Sequence, residues 1–211
     1  MDSKKSRPNR ERAALEPRRR RGELRVASLM AAAAEVIAER GYEAATMAEI
    51  AARAGARIGS LYRFFPNKEV LADALIQRYG ELVDEAFGKI EDQIADLSIG
   101  DLADALVGFL AALHGESRAI AAVLDARSEW SAKRAELRQA VLRRIAQLLM
   151  PRSPRLRRQT AEDVAVVLLH NMKTLKALAL EPGTAVSPGA LAELREMNRL
   201  YLAQRLSAKQ P

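Results

Sequence analysis

In this 211-residue chain, Arg57-Ile58-Gly59-Ser60 combines residue types suited to the chemistry of binding rather than of bond-making. A helix that enters the major groove of a nucleic acid needs short side chains at its N-terminal end, so that its backbone can approach. Gly59 and Ser60 are short, and Ser60 adds a hydroxyl. A neighbouring arginine can bind a guanine edge, worth roughly 1–3 kcal/mol of discrimination, or a phosphate. The parts for catalysis are missing. There is no cysteine, which removes disulfides, thiolate zinc sites and thiol nucleophiles. His114 and His170 stand far apart, and Glu116, two residues after His114, completes no familiar ligand spacing. No nucleophile elbow, phosphate loop or dinucleotide fingerprint occurs. Asp125 and Glu129, beside Arg127, read as a solvated helix face. The expectation is a protein that is not an enzyme, with no cofactor and no metal.

The elements that must carry these residues are helices. Val26, Leu29, Met30, Ala33 and Ile37 recur on one helical face, and Gly41 stands where a helix needs a left-handed terminus. Thr46-Met47-Ala48-Glu49 is a capping box that opens a short helix to about Ala54, and Gly55 ends it. About two further turns run from Ala56 to Phe65, stopped by Pro66. Two short helices around a tight glycine turn match a helix-turn-helix. Asn67 caps a longer helix expected to reach Ile90 or beyond. Further helices are expected from Asp101 to Leu113, from about Ser117 to Asp125, from Ser128 to Leu149, from Thr160 to Leu180 and from Pro188 to about Leu206. No convincing strand is found, so the chain reads as all-α.

Composition agrees with that reading. The chain is 49% hydrophobic and 29% charged, enough for a packed core, and only 4% aromatic. No apolar run approaches a membrane span and no secretory signal is seen, so a cytoplasmic protein without a membrane partner is expected. The net charge of +7 lies entirely in residues 1–68, which hold 15 basic and 8 acidic residues; the remainder holds 19 of each. A basic segment on a neutral body points to a polyanion, with nucleic acid ahead of a membrane surface. Residues 1–22, with the run Arg18-Arg19-Arg20-Arg21, read as a flexible basic arm.

The stretch from Leu24 to Tyr79 resembles the DNA-binding domain of TetR-type (TetR/AcrR) transcriptional regulators. It does so through Leu29-Met30, Ala32-Ala33, Glu39-Arg40-Gly41-Tyr42, Thr46, Glu49-Ile50-Ala51, Ala54-Gly55 and the run from Ile58 to Glu69. The resemblance implies an N-terminal three-helix bundle with a helix-turn-helix at 23–68, after the arm at 1–22. A larger helical domain at 69–211 would bind ligand and dimerise. It implies DNA contacts by Thr46, Arg57, Ile58, Gly59, Ser60, Tyr62, Arg63 and Lys68, with Tyr62 and Lys68 on phosphates and Thr46 adding one through its hydroxyl or nearby amides. Base reading would fall to Arg57, Ile58 and Ser60. Arg57 departs from the family's usual Ser or Thr, whose loss as a cap costs about 1 kcal/mol. For Arg57, a guanine edge and a phosphate remain equal alternatives.

The second half implies a pocket and a dimer. Phe87, Phe109, His114, Trp130, His170, Asn171 and Met172 combine apolar surface with a few polar groups, as small-molecule sites do. The helix Ala161 to Leu180, with Leu191, Leu194, Leu200 and Leu202, is expected to form a four-helix bundle with a second copy. The resulting expectation is a homodimeric repressor on double-stranded DNA with a palindromic operator, released by a small-molecule effector of unknown identity. Two alternatives stay open: a ligand-independent or activating DNA-binding regulator, and a basic interaction protein acting through its arm.

Overall fold

The computed structural model describes residues 20–180 and 188–207, which form nine α-helices and no strand. The stretch from Met1 to Arg19, and with it most of the expected arm, lies outside the described residues. The first helix, α1 (Arg20–Arg40), starts three residues ahead of the expected Glu23. It ends at Gly41, where φ is +81°, a conformation that costs glycine little and an L side chain a good deal. Next come α2 (Met47–Arg53), α3 (Ile58–Phe64) and the long α4 (Lys68–Glu91). Then follow α5 (Ile99–Ala112), α6 (His114–Ala126), α7 (Ser131–Leu149), α8 (Arg158–Leu180) and α9 (Pro188–Ser207). None of these helices is long and apolar enough to cross a membrane.

Helices of seven residues, like α2 and α3, are marginal in isolation, so packing must hold them. They rest on a core of Leu29, Ile37, Ile50, Leu61, Leu71 and Leu75, drawn from α1 to the first turns of α4. α6 closes that core with Ala119, Ile120, Val123 and Leu124, lying along α1. A second core takes Val83, Phe87 and Ile90 from the later turns of α4, with residues from α5, α7, α8 and α9. Tyr79 packs against both. The expected boundary between 68 and 69 falls at the start of α4, whereas the cores divide near Tyr79 and α6 joins the earlier one.

Two local differences matter below. The expected single helix from Ser128 is a 3-10 turn (Ser128–Trp130) followed by α7, with the backbone of Trp130 (φ -89°, ψ 3°) at the junction; the extended Arg127 separates this turn from α6. The helix expected at Asp101 begins at Ile99. Ser98 and Asp101 form a capping box there, with the Asp101 amide donating to Ser98 Oγ at 3.1 Å.

Candidate nucleic-acid interface

The candidate site begins with the loop between α1 and α2. Its far end is the Thr46 capping box: the Glu49 amide donates to Thr46 Oγ1 (3.2 Å), and the Thr46 amide and hydroxyl donate to Glu49 Oε2 (3.2 and 2.9 Å). Those hydrogen bonds, helped by the nearby Arg40 and Arg53 charges and opposed by desolvation, leave the Glu49 carboxyl below its ordinary range. Arg40 also reaches Glu49 Oε1 at 3.1 Å. Arg53, at the end of α2, grips Glu39 through two bonds (2.9 and 2.8 Å) and Glu35 at 3.2 Å, fixing α2 to α1. Gly55, with φ +58°, supplies the sharp turn into α3.

On α3, Leu61 and Phe64 point into the core, whereas Ile58 and Tyr62, one turn apart, are 42% and 49% exposed. Ile58 and Tyr62 line an open cleft of about 620 Å³ together with Glu43, Ala45, Thr46, Met47, Ala48, Pro66, Asn67 and Lys68. Arg57 stands at the N-cap of α3, exposed, and its side chain makes no capping bond. Gly59 is exposed, and a Cβ built on it would meet nothing within 4 Å. Packing therefore does not demand this glycine, although glycine inside a helix costs about 0.5–1 kcal/mol relative to alanine. Ser60 is half-buried, and Arg63 is exposed with its guanidinium 5.7 Å from the Phe64 ring centre.

Lys68, expected on a DNA phosphate, turns its ammonium to the loop between α1 and α2. Its Nζ donates to the carbonyls of Tyr42 (2.8 Å), Glu43 (3.0 Å) and Ala45 (3.2 Å) and lies 4.5 Å from the Tyr42 ring centre. An ammonium has three hydrogens, and all are taken. Thr46 likewise spends its hydroxyl on Glu49, which leaves the Met47 and Ala48 amides as the free donors at the start of α2.

This arrangement agrees with the comparisons to known proteins. A family model described as bacterial regulatory proteins, tetR family, matches residues 29–75, and one described as the tetracyclin repressor-like C-terminal domain matches residues 98–202. The chain belongs to the TetR family. The HTH-type transcriptional repressor KstR2 of Rhodococcus jostii (strain RHA1) is 39% identical over 67 residues, 32% of this chain and 31% of that protein. The match thus spans about a third of that curated relative. A TerR/AcrR-family transcriptional regulator from Aquifex aeolicus VF5 superposes with a TM-score of 0.66 at 20% identity, covering 84% of this chain and 97% of that one. AibR, solved in complex with isovaleryl coenzyme A and operator DNA, superposes with a TM-score of 0.59 at 20% identity, covering 83% and 97%. At such identities these two structures share the fold.

Within this TetR-family fold the six expected pocket residues whose side chains are described do not all converge. The Phe87 and Phe109 rings stand 4.7 Å apart inside the second core, where Met172 is also buried. Trp130 is in the first core, 5.2 Å from the Tyr42 ring, because the turn after Arg127 carries it there. His170 is exposed, with Nδ1 2.8 Å from the Val166 carbonyl and Nε2 3.4 Å from Arg138. Asn171 donates to the buried Asn198 at 3.0 Å. The side chain of His114 lies outside the described residues. Of the leucines expected at a dimer face, Leu202 is fully buried in its own subunit and Leu200 is exposed. Val166 and Val167, within the helix expected at that face, and Met197, which was not named for it, are exposed on the same two helices. Among the described residues, no group of three His, Cys, Asp or Glu side chains could hold a metal ion.

Proposed function

We propose that this protein is a homodimeric transcriptional repressor that binds a palindromic operator through α3 and is released by a small-molecule effector. The observation that carries this reading is the bare, outward end of α3. Arg57 has no cap to make, Ile58 is exposed, and Gly59 is a glycine its own fold does not require. A duplex groove explains all three, since it rewards close backbone approach, an arginine at a base edge and an apolar contact with a thymine methyl. Arg57, Ile58 and Ser60 then read bases. The Tyr62 hydroxyl, the α2 amides beside Thr46, and Arg63 bind phosphates, which set register and orientation. Lys68 contributes by holding the loop that carries Thr46.

The exposed Val166, Val167, Met197 and Leu200 on α8 and α9, which a second copy would cover, support dimerisation. The two-fold pairing would put one α3 into each half-site. The effector would act on the second core, around Phe87, Phe109 and Met172, and α4 would carry the change. An acyl thioester is the effector class to test first, given the ligand bound by the fold relative AibR. Direct packing of Phe87 on Phe109 favours a second reading, a regulator whose C-terminal half only dimerises. Both readings place the protein in the cytoplasm.

The test is selection from random DNA duplexes near physiological salt, using wild type and an Arg57→Ala, Tyr62→Phe double variant. The expected result is an enriched palindrome, with half-sites about one helical turn apart, that the variant fails to enrich. Binding without sequence preference that survives both substitutions would overturn it.

A further inference from the structure

We propose that Arg127 and Trp130, at the corner between α6 and α7, are positioning residues for the DNA-binding cleft although neither lines it. The corner lies far along the chain from the cleft, yet it is fastened to the elements that build it. Arg127 Nη2 pairs with Glu69 Oε1 at 2.8 Å, one residue after Lys68. The Arg127 guanidinium lies 5.3 Å from the Trp130 ring centre and 5.8 Å from that of Tyr42. Trp130 meets Tyr42 edge-on. One turn further along α4, Lys133 pairs with Asp73, and from α6 Arg118 donates to the Ala38 carbonyl at 3.1 Å in the last turn of α1.

Tyr42 is the hub. It is 1% exposed, and its hydroxyl is buried without a hydrogen-bond partner, so the ring is held by packing alone. The ring meets Trp130 and Arg127, and it also carries the Lys68 ammonium, which in turn holds three carbonyls of the loop leading to Thr46. A shift of the α6–α7 corner therefore reaches both walls of the cleft, the Thr46 loop and the start of α4. This route runs beside α4 rather than along it. Aromatic and cation–π contacts of this kind depend steeply on geometry, which suits a latch that is either seated or not.

The inference rests on the DNA-binding reading, and its test separates the two. Trp130 is the single tryptophan of the chain, so its emission reports on the corner alone. The probe is the duplex pool enriched by the wild-type protein; the variants are Arg127→Gln, Arg127→Lys and Trp130→Phe. Arg127→Gln is expected to bind the pool about tenfold more weakly, an ordinary size for coupling between sites, with its melting temperature close to wild type. Arg127→Lys, which keeps the charge beside Glu69, is expected to recover most of that loss. Adding the pool to wild type is expected to shift Trp130 emission. Affinities of Arg127→Gln and Trp130→Phe equal to wild type would overturn the latch and leave the DNA reading intact. A loss that Arg127→Lys does not relieve, accompanied by a lower melting temperature, would also overturn it, by making Arg127 a general stability residue. A wild type that enriches no duplex would remove the DNA reading and the latch with it.

Discussion

The two cores are built on different terms. The first serves a surface: its helices α2 and α3 are short, their buried residues are few, and much of its polar chemistry points outward around Arg57, Ile58, Gly59 and Tyr62. It is held by polar ties between its own elements, Arg53 on Glu35 and Glu39 and Lys68 on the loop carbonyls, and by α6 with its corner. The second core serves itself. It packs long helices through Phe87, Phe109, Leu148, Leu149, Leu168 and Leu202, and ties α8 to α9 by the Asn171–Asn198 pair. A region that must present side chains to a partner cannot bury them, so it borrows its stability from its neighbours.

The largest expected effect tests whether the second core carries the greater share of stability. Phe87→Ala removes a fully buried ring packed on Phe109, and is expected to cost about 3–5 kcal/mol in urea unfolding. If the loss is under about 1 kcal/mol, the second core is loosely packed and the contrast fails.

A smaller change separates fold from function at one position. Gly59→Ala places a methyl group in open space on a helix, so melting should rise, by about 0.5–1 kcal/mol of stability. The same methyl group stands where the groove would approach, so duplex affinity should fall. Stability and affinity moving together would mean that Gly59 serves neither role assigned to it.

The smallest effect at neutral pH concerns Tyr42. Because its buried hydroxyl has no partner, Tyr42→Phe loses no hydrogen bond and should leave stability unchanged or slightly raised at pH 7. Burial, ahead of the nearby Glu69 charge, pushes the Tyr42 phenol from 10.0 up to about 12. The unfolded chain therefore ionises first, and this contribution to stability, complete below the unfolded value, is lost as pH rises from there towards about 12. Burial raises Tyr79 in the same direction. In alkaline unfolding followed by Trp130 emission, Tyr42→Phe should make the decline shallower without abolishing it. An unaltered slope would show that the Tyr42 hydroxyl is not buried in solution.

Most of the first region was legible in the chain because its signals are local. Thr46 and Glu49 are three residues apart and form the expected box, Asn67 accepts from the Val70 amide at 2.7 Å, and Gly41 takes the left-handed backbone its position implied. Arg57, which breaks the usual cap, makes no cap. Where the reading slipped, the cause was either an unusual local signal or a distant partner. The box at Ser98 uses Asp101 where Glu or Gln is the customary fourth residue. Trp130 was set among pocket residues for its residue type alone, and the 3-10 turn after the extended Arg127 brings it onto Tyr42 instead. Lys68 was assigned a phosphate by the family resemblance, and its three carbonyl acceptors, 23 to 26 residues away, gave no signal in the chain.

Helix positions, the turn chemistry, the basic first third and the family itself were determined by residue types at short spacing, since backbone preferences and caps act within one or two turns. Which core α6 joins, where Leu202 and Trp130 point, and what the Lys68 ammonium holds were decided only in the tertiary structure. Those outcomes depend on packing between segments tens of residues apart. Apolar burial rewards any partner surface that fits, so the helical pattern names the face to be buried but not the helix that covers it.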